Sequence, residues 1–78
     1  MPSDKLVTMA NQIGCFFATQ RGDAAASVAA HITKFWDARM RQAFLDHVEA
    51  SGGSGLSEVA RGAAWRLRGD VVAMRRAG

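Results

Sequence analysis

Val28-Ala29-Ala30-His31-Ile32-Thr33-Lys34-Phe35-Trp36-Asp37-Ala38-Arg39-Met40-Arg41-Gln42-Ala43-Phe44-Leu45 is the stretch that decides the fold. Its large apolar residues fall at 28, 32, 35 and 36, and again at 40, 44 and 45. Steps of three and four are the repeat of an amphipathic helix. Phe35 and Trp36 close the first half of the stretch on a core. Asp37 sits where the pattern falters, as a cap for a helix over 37–50 and an acid-first i,i+4 partner for Arg41. The stretch is therefore two helices, or one helix with a sharp bend at Asp37.

The same period extends in both directions. Upstream, Leu6, Met9, Ala10, Ile13, Phe16 and Phe17 mark one face of a helix over 3–20, with Ser3 or Asp4 as its cap. Arg21-Gly22-Asp23 makes the turn, Gly22 suiting a left-handed stop and Asp23 capping a helix over 24–36. Downstream, Ser51-Gly52-Gly53-Ser54-Gly55 reads by composition as a flexible linker. A last helix over 56–74 carries Leu56, Val59, Ala60, Ala63, Ala64, Leu67, Val71 and Met74, with Gly62 and Gly69 weakening it by about 1 kcal/mol each relative to alanine. No segment alternates as a strand does. The expectation is an all-α, three- to four-helix bundle in a single domain over 1–78, with Phe16, Phe17, Ile32, Phe35 and Phe44 in its core.

Composition narrows the function. A 78-residue chain has little interior, and small domains commonly offset this with disulfides, metals or association. One cysteine, Cys15, allows no internal disulfide, and two histidines with one cysteine do not fill a four-ligand zinc site by themselves. Association remains. The net charge of +3 is mild, with seven acidic residues among ten basic ones. No apolar run is long enough to span a membrane, none reads as a clean signal peptide, and a single thiol fits a reducing compartment, so the expected location is the cytoplasm. No nucleotide-binding glycine loop, metal motif or nucleophile–base spacing is present, so no catalytic, cofactor-binding or metal-ligating residue is assigned.

The outward faces hold the candidates for partner binding. Cys15 lies opposite the centre of the first helix's stripe, among Thr8, Asn11, Gln12 and Thr19. Between Leu6 and Thr33 the only formal charges are Arg21 and Asp23, in the turn. Either an alanine-rich chain is short of charge there, or a partner or a second copy covers the first two helices. Trp65 lies about 160° from the centre of the last helix's stripe, flanked by Arg61 and Arg68. Tryptophan and arginine are enriched at interface hot spots, although the arginines can also shield the ring by cation–π contact. Arg39 and Arg41 point about 200° apart, so at least one is free for solvent or a partner. The candidates are Asn11, Gln12, Cys15, Arg39, Arg41, Arg61, Trp65 and Arg68. His31 reads as a boundary residue and His47 as solvated.

Two blocks carry a resemblance. One is Met9-Ala10-Asn11-Gln12-Ile13 followed by Phe16-Phe17. The other is Ala30-His31-Ile32, Phe35-Trp36-Asp37 and Arg39-Met40-Arg41. Over roughly residues 5 to 48 the chain resembles the small delta subunit of cytoplasmic, NAD-dependent, molybdenum- or tungsten-containing formate dehydrogenases. That family usually has proline where Ala38 stands; alanine suits the first turn of a helix as well. The resemblance implies a non-catalytic accessory subunit that supports assembly and stability by docking on the large catalytic subunit. It also implies that the molybdenum cofactor, iron–sulfur clusters and FMN lie in partner subunits and none in this chain. It carries no role for Arg61, Trp65 or Arg68. The alternatives from composition are a free-standing basic helical nucleic-acid binder using Arg61, Arg66, Arg68, Arg75 and Arg76, or a homo-oligomeric interaction protein. The resemblance favours a partner with neither nucleic acid nor membrane.

Overall fold

The computed structural model describes the backbone of residues 3–20 and 22–77, and the side chains of 4–20 and 22–69. Four α-helices account for nearly all of it: α1 (Ser3–Ala18), α2 (Ala24–Phe35), α3 (Ala38–Ser51) and α4 (Glu58–Ala77). No strand occurs among the described residues. The expected Arg21, Val71, Met74, Arg75 and Arg76 side chains lie outside the described ones.

Local chemistry sets the boundaries. Gly22 adopts φ 100° in the turn after α1. Asp23 caps α2, its Oδ1 accepting from the Ala26 amide at 3.1 Å. Asp37 is extended (ψ 171°) and caps α3 by accepting from the Met40 amide at 2.8 Å, so the chain breaks here into two helices. Trp36 ends α2, donating its backbone N–H to Ile32. Gly52 ends α3 in the left-handed region (φ 71°), where a side chain would be strained, and donates to Val48 at 2.8 Å. Ser57 opens α4, its hydroxyl accepting from Ala60 and its carbonyl from Arg61.

The core is one cluster from all four helices. Leu6 and Ala10 of α1 meet Val28, Ala29 and Ile32 of α2, Phe44, Leu45 and Val48 of α3, and Ala60, Ala63, Ala64 and Leu67 of α4. Trp36 packs edge-on against Phe44, ring centroids 5.5 Å apart. Phe44 is fully buried, which contributes about 2–3 kcal/mol relative to leaving it in water. The most extensive packing is between α2 and α4. Gly62 allows it: a Cβ there would lie 3.1 Å from the Cβ of Ala25. The glycine that looked like a weakness in α4 is where the helix approaches Ala25 of α2.

Two expected core residues are outside. Phe16 is 62% exposed and Phe35 64% exposed, while Phe17 is half-buried. At 100° per residue, Phe16 lies about 80° from Leu6, at the margin of the α1 stripe. Phe35 lies about 60° to one side of Ile32 and Trp36 about 40° to the other, so the helix turns Trp36 inward and Phe35 outward.

Candidate functional surfaces

The glycine–serine connection between α3 and α4 is tied down at every turn, contrary to the flexible linker its composition suggests. Asn11, half-buried on α1, reaches across to it with both amide atoms. Its Nδ2 donates to the Gly55 carbonyl at 2.9 Å, and its Oδ1 accepts from the Ser57 amide at 2.8 Å. In a capping box a glutamate three residues on would engage the amide of the capping residue; here a side chain from another helix does so. His47 lies 3.0 Å from the Ser54 carbonyl through Nε2, which must carry the proton there. His47 is thus half-buried and bonded to the loop instead of simply solvated. Ser51 Oγ donates to the His47 carbonyl and accepts from Ser54. Arg61 lies over the loop: a Cβ on Gly53 would be 3.2 Å from its side chain, and its Nη2 is 3.5 Å from the Leu56 carbonyl.

Arg41 donates to the Thr33 carbonyl at 3.0 Å, tying α3 to the end of α2, where the sequence suggested a pair with Asp37. The Asp37 carboxylate instead holds the Met40 amide. Arg39 is exposed. Trp65 is 44% exposed, with the Arg68 guanidinium 5.7 Å from its ring centroid. Arg68 also donates to Glu49 at 2.9 Å. The Trp65–Arg68 contact is therefore an intramolecular cation–π pair completed by a surface ion pair. Arg66 pairs with Asp23 at 2.6 Å. The Asp23 carboxyl is held below its ordinary value of 3.8 chiefly by the Ala26 amide, with Arg66 adding to it. Of the arginines a nucleic-acid surface would need, Arg61, Arg66 and Arg68 each have an internal partner.

On the α1 face, Cys15 and Gln12 are exposed. The hydroxyls of Thr8 and Thr19 donate to carbonyls of their own helix. On α2, Thr33 does the same to Ala29. A face free of charge is satisfied in this way without lysine or glutamate.

What sequence reasoning missed is a row of rings joining α1 to α2. Phe16 meets Phe17 edge-on at 5.0 Å, Phe17 meets His31 at 6.1 Å, and His31 lies 4.6 Å from Phe35. The Lys34 ammonium is 5.6 Å from the Phe35 centroid. Gln12, Ile13, Phe16, Phe17 and His31 line a shallow, mainly apolar depression beside this row. The sequence carries only a partial signal: Phe16 and Phe35 sit at the edge of their stripes and His31 borders the second one, which leaves open whether they turn inward or outward.

Among the described residues no three His, Cys, Asp or Glu side chains converge on a point where an ion could sit. With one cysteine in the sequence, exposed on α1, the donor set does not fit an iron–sulfur cluster, which takes about four thiolates. Among them, too, no helix is long and apolar enough to cross a membrane.

The profile of one protein family, described as "NADH-dependant formate dehydrogenase delta subunit FdsD", matches residues 5–64. The chain belongs to this family of formate dehydrogenase delta subunits. The matched region takes in α1, α2, α3, the tethered loop and the first turns of α4, so it includes both Asn11 and the four-ring row. No protein of curated function and no solved structure matches the chain.

Proposed function

We propose that the chain is a non-catalytic accessory subunit of a cytoplasmic NAD-dependent formate dehydrogenase. It docks on the large molybdenum-bearing subunit and supports assembly and stability of the complex. Formate oxidation, the molybdenum cofactor, the clusters and FMN are assigned to the partner subunits. Membership of the delta-subunit family supports the reading. The observation that carries it is that the polar groups flagged by the sequence mostly hold the chain's own fold. Asn11 and His47 hold the loop, Asp23 and Asp37 cap helices, and Arg41, Arg61, Arg66 and Arg68 have internal partners. What remains exposed includes the large apolar side chains of Phe16, Phe35 and Trp65, beside Gln12 and Arg39.

A subunit of this kind acts on populations. If it binds the assembled enzyme and not its dissociated parts, it stabilises the assembly by about 2.7 kcal/mol when its free concentration is a hundred times its Kd. The test is to delete the chain and purify the enzyme. The expected result is less intact complex with turnover per molybdenum unchanged. A sharp loss of turnover per molybdenum in complexes with full metal content would refute the accessory reading.

A further inference from the structure

The row of rings across α1 and α2 has no counterpart elsewhere on the described surface. Phe16 and Phe35, at its two ends, are each almost two-thirds exposed. The interior rings, Phe17 and His31, are half-buried, so the row is anchored in the fold and presented outward. We infer that this row is the docking face of the subunit, and that its occupant is a larger protein presenting an apolar hollow with an acidic rim. The inference rests on the accessory-subunit reading and adds the surface and its chemistry.

Charge and area identify the occupant. The charges beside Phe35 are mostly positive: Lys34 lies over its ring, and Arg41 binds the neighbouring Thr33 carbonyl. Asp37, the nearest acid in the sequence, is engaged with the Met40 amide. Among the described residues that line the depression, the α1 side contributes Gln12 and no formal charge. An acidic rim on the partner would therefore meet Lys34, which gives register and partner choice more than affinity. A second copy of this chain fits poorly. An isologous pairing would set this same patch against itself, so the whole buried area would have to come from it. The exposed parts of the two end rings amount to roughly 120 Å² each, given about 200 Å² for a whole phenylalanine side chain. With the ring margins and Gln12, this leaves two copies short of the about 1,200 Å² that a stable interface buries. A concave partner surface can enclose the protruding rings and add contacts around them.

The experiment uses the formate dehydrogenase complex purified through its catalytic subunit, measuring this chain per molybdenum. Phe16→Glu/Phe35→Glu is expected to lower retention at least tenfold, and Lys34→Glu severalfold, while Trp65→Gln on α4, outside the row, stays at the wild-type level. Circular dichroism of each isolated variant checks the fold, and Lys34 is an exposed residue. Wild-type retention of the double variant with loss of Trp65→Gln would overturn the inference and move docking to α4. An isolated wild-type chain that sediments as a dimer, dissolved by the double variant without change in retention, would overturn it in favour of a second copy. Absence of the wild-type chain from the complex would instead overturn the accessory reading itself.

Discussion

Replacing Asn11 with alanine removes the side chain that bonds the α4 end of the α3–α4 connection to α1. Two hydrogen bonds are lost, at 2.9 Å to Gly55 and 2.8 Å to Ser57. A net contribution of about 0.5–1.5 kcal/mol each puts the cost near 2 kcal/mol. For a domain of this size that corresponds to a fall in Tm of roughly 8–16 °C. Asn11→Asp separates the two bonds. A carboxylate still accepts from the Ser57 amide but has no proton for the Gly55 carbonyl. Its charge also sits near the start of α4, where the helix dipole favours it by about 0.3–1 kcal/mol. Aspartate should therefore cost about half as much as alanine. Urea unfolding followed by circular dichroism measures both, and amide exchange at Ser57 should speed up in the alanine variant and much less in the aspartate one. A cost below about 0.5 kcal/mol for Asn11→Ala would refute the claim that this side chain holds the loop.

Two further predictions are independent of it. Gly69→Ala, where an added Cβ meets nothing within 4 Å, should raise stability by about 1 kcal/mol; Gly62→Ala should fail to do so, because its Cβ would press on Ala25, and equal gains in chemical denaturation would contradict the close α2–α4 approach. Asp23 is depressed in the folded state, so the stability it provides is present above its ordinary value of 3.8 and disappears as pH falls through the folded value. Asp23→Asn, which keeps a neutral acceptor for the Ala26 amide, should be less stable than wild type at pH 6 and equal to it well below pH 3; a gap that persists in acid would show that the carboxylate's charge, through the Ala26 amide and Arg66, is not its source.

The parts of this fold that are local in sequence were legible in it. Asp23 and Asp37 cap helices three residues away, Gly22 and Gly52 take up left-handed geometry where the period stops, and Ile32 and Phe44 lie at the centre of their stripes. What failed depends on neighbours. The width of an apolar stripe is set by what packs on it, so Phe16 and Phe35, at the stripe edges, could not be placed by periodicity. Asn11 reads as an open-face polar residue because its partners are 44 and 46 positions away. The Ser51–Gly55 composition signals freedom, but Asn11 and His47 bond to it and the Arg61 side chain lies over it, from three different helices. Among the candidate contacts, Gln12, Cys15 and Arg39 are where the sequence put them, on the surface. Arg41, Arg61 and Arg68 have turned to carbonyls or a carboxylate of the same chain.

The order in which the helices pack has a consequence for synthesis. The surface that α2 buries most extensively is covered by α4, made after α3, and far less by α3, which follows α2 directly. Roughly 30 residues separate the end of α2 from Leu67, the last described residue of the α4 stripe. At translation rates of about 5–20 residues per second, the growing chain carries Val28, Ala29 and Ile32 without their lid for about two to six seconds. The protruding phenylalanines lie on the same two helices, so an emerging chain shows apolar surface on both sides of its first hairpin. A ribosome-proximal chaperone or the waiting partner subunit would meet that hairpin before the bundle has closed.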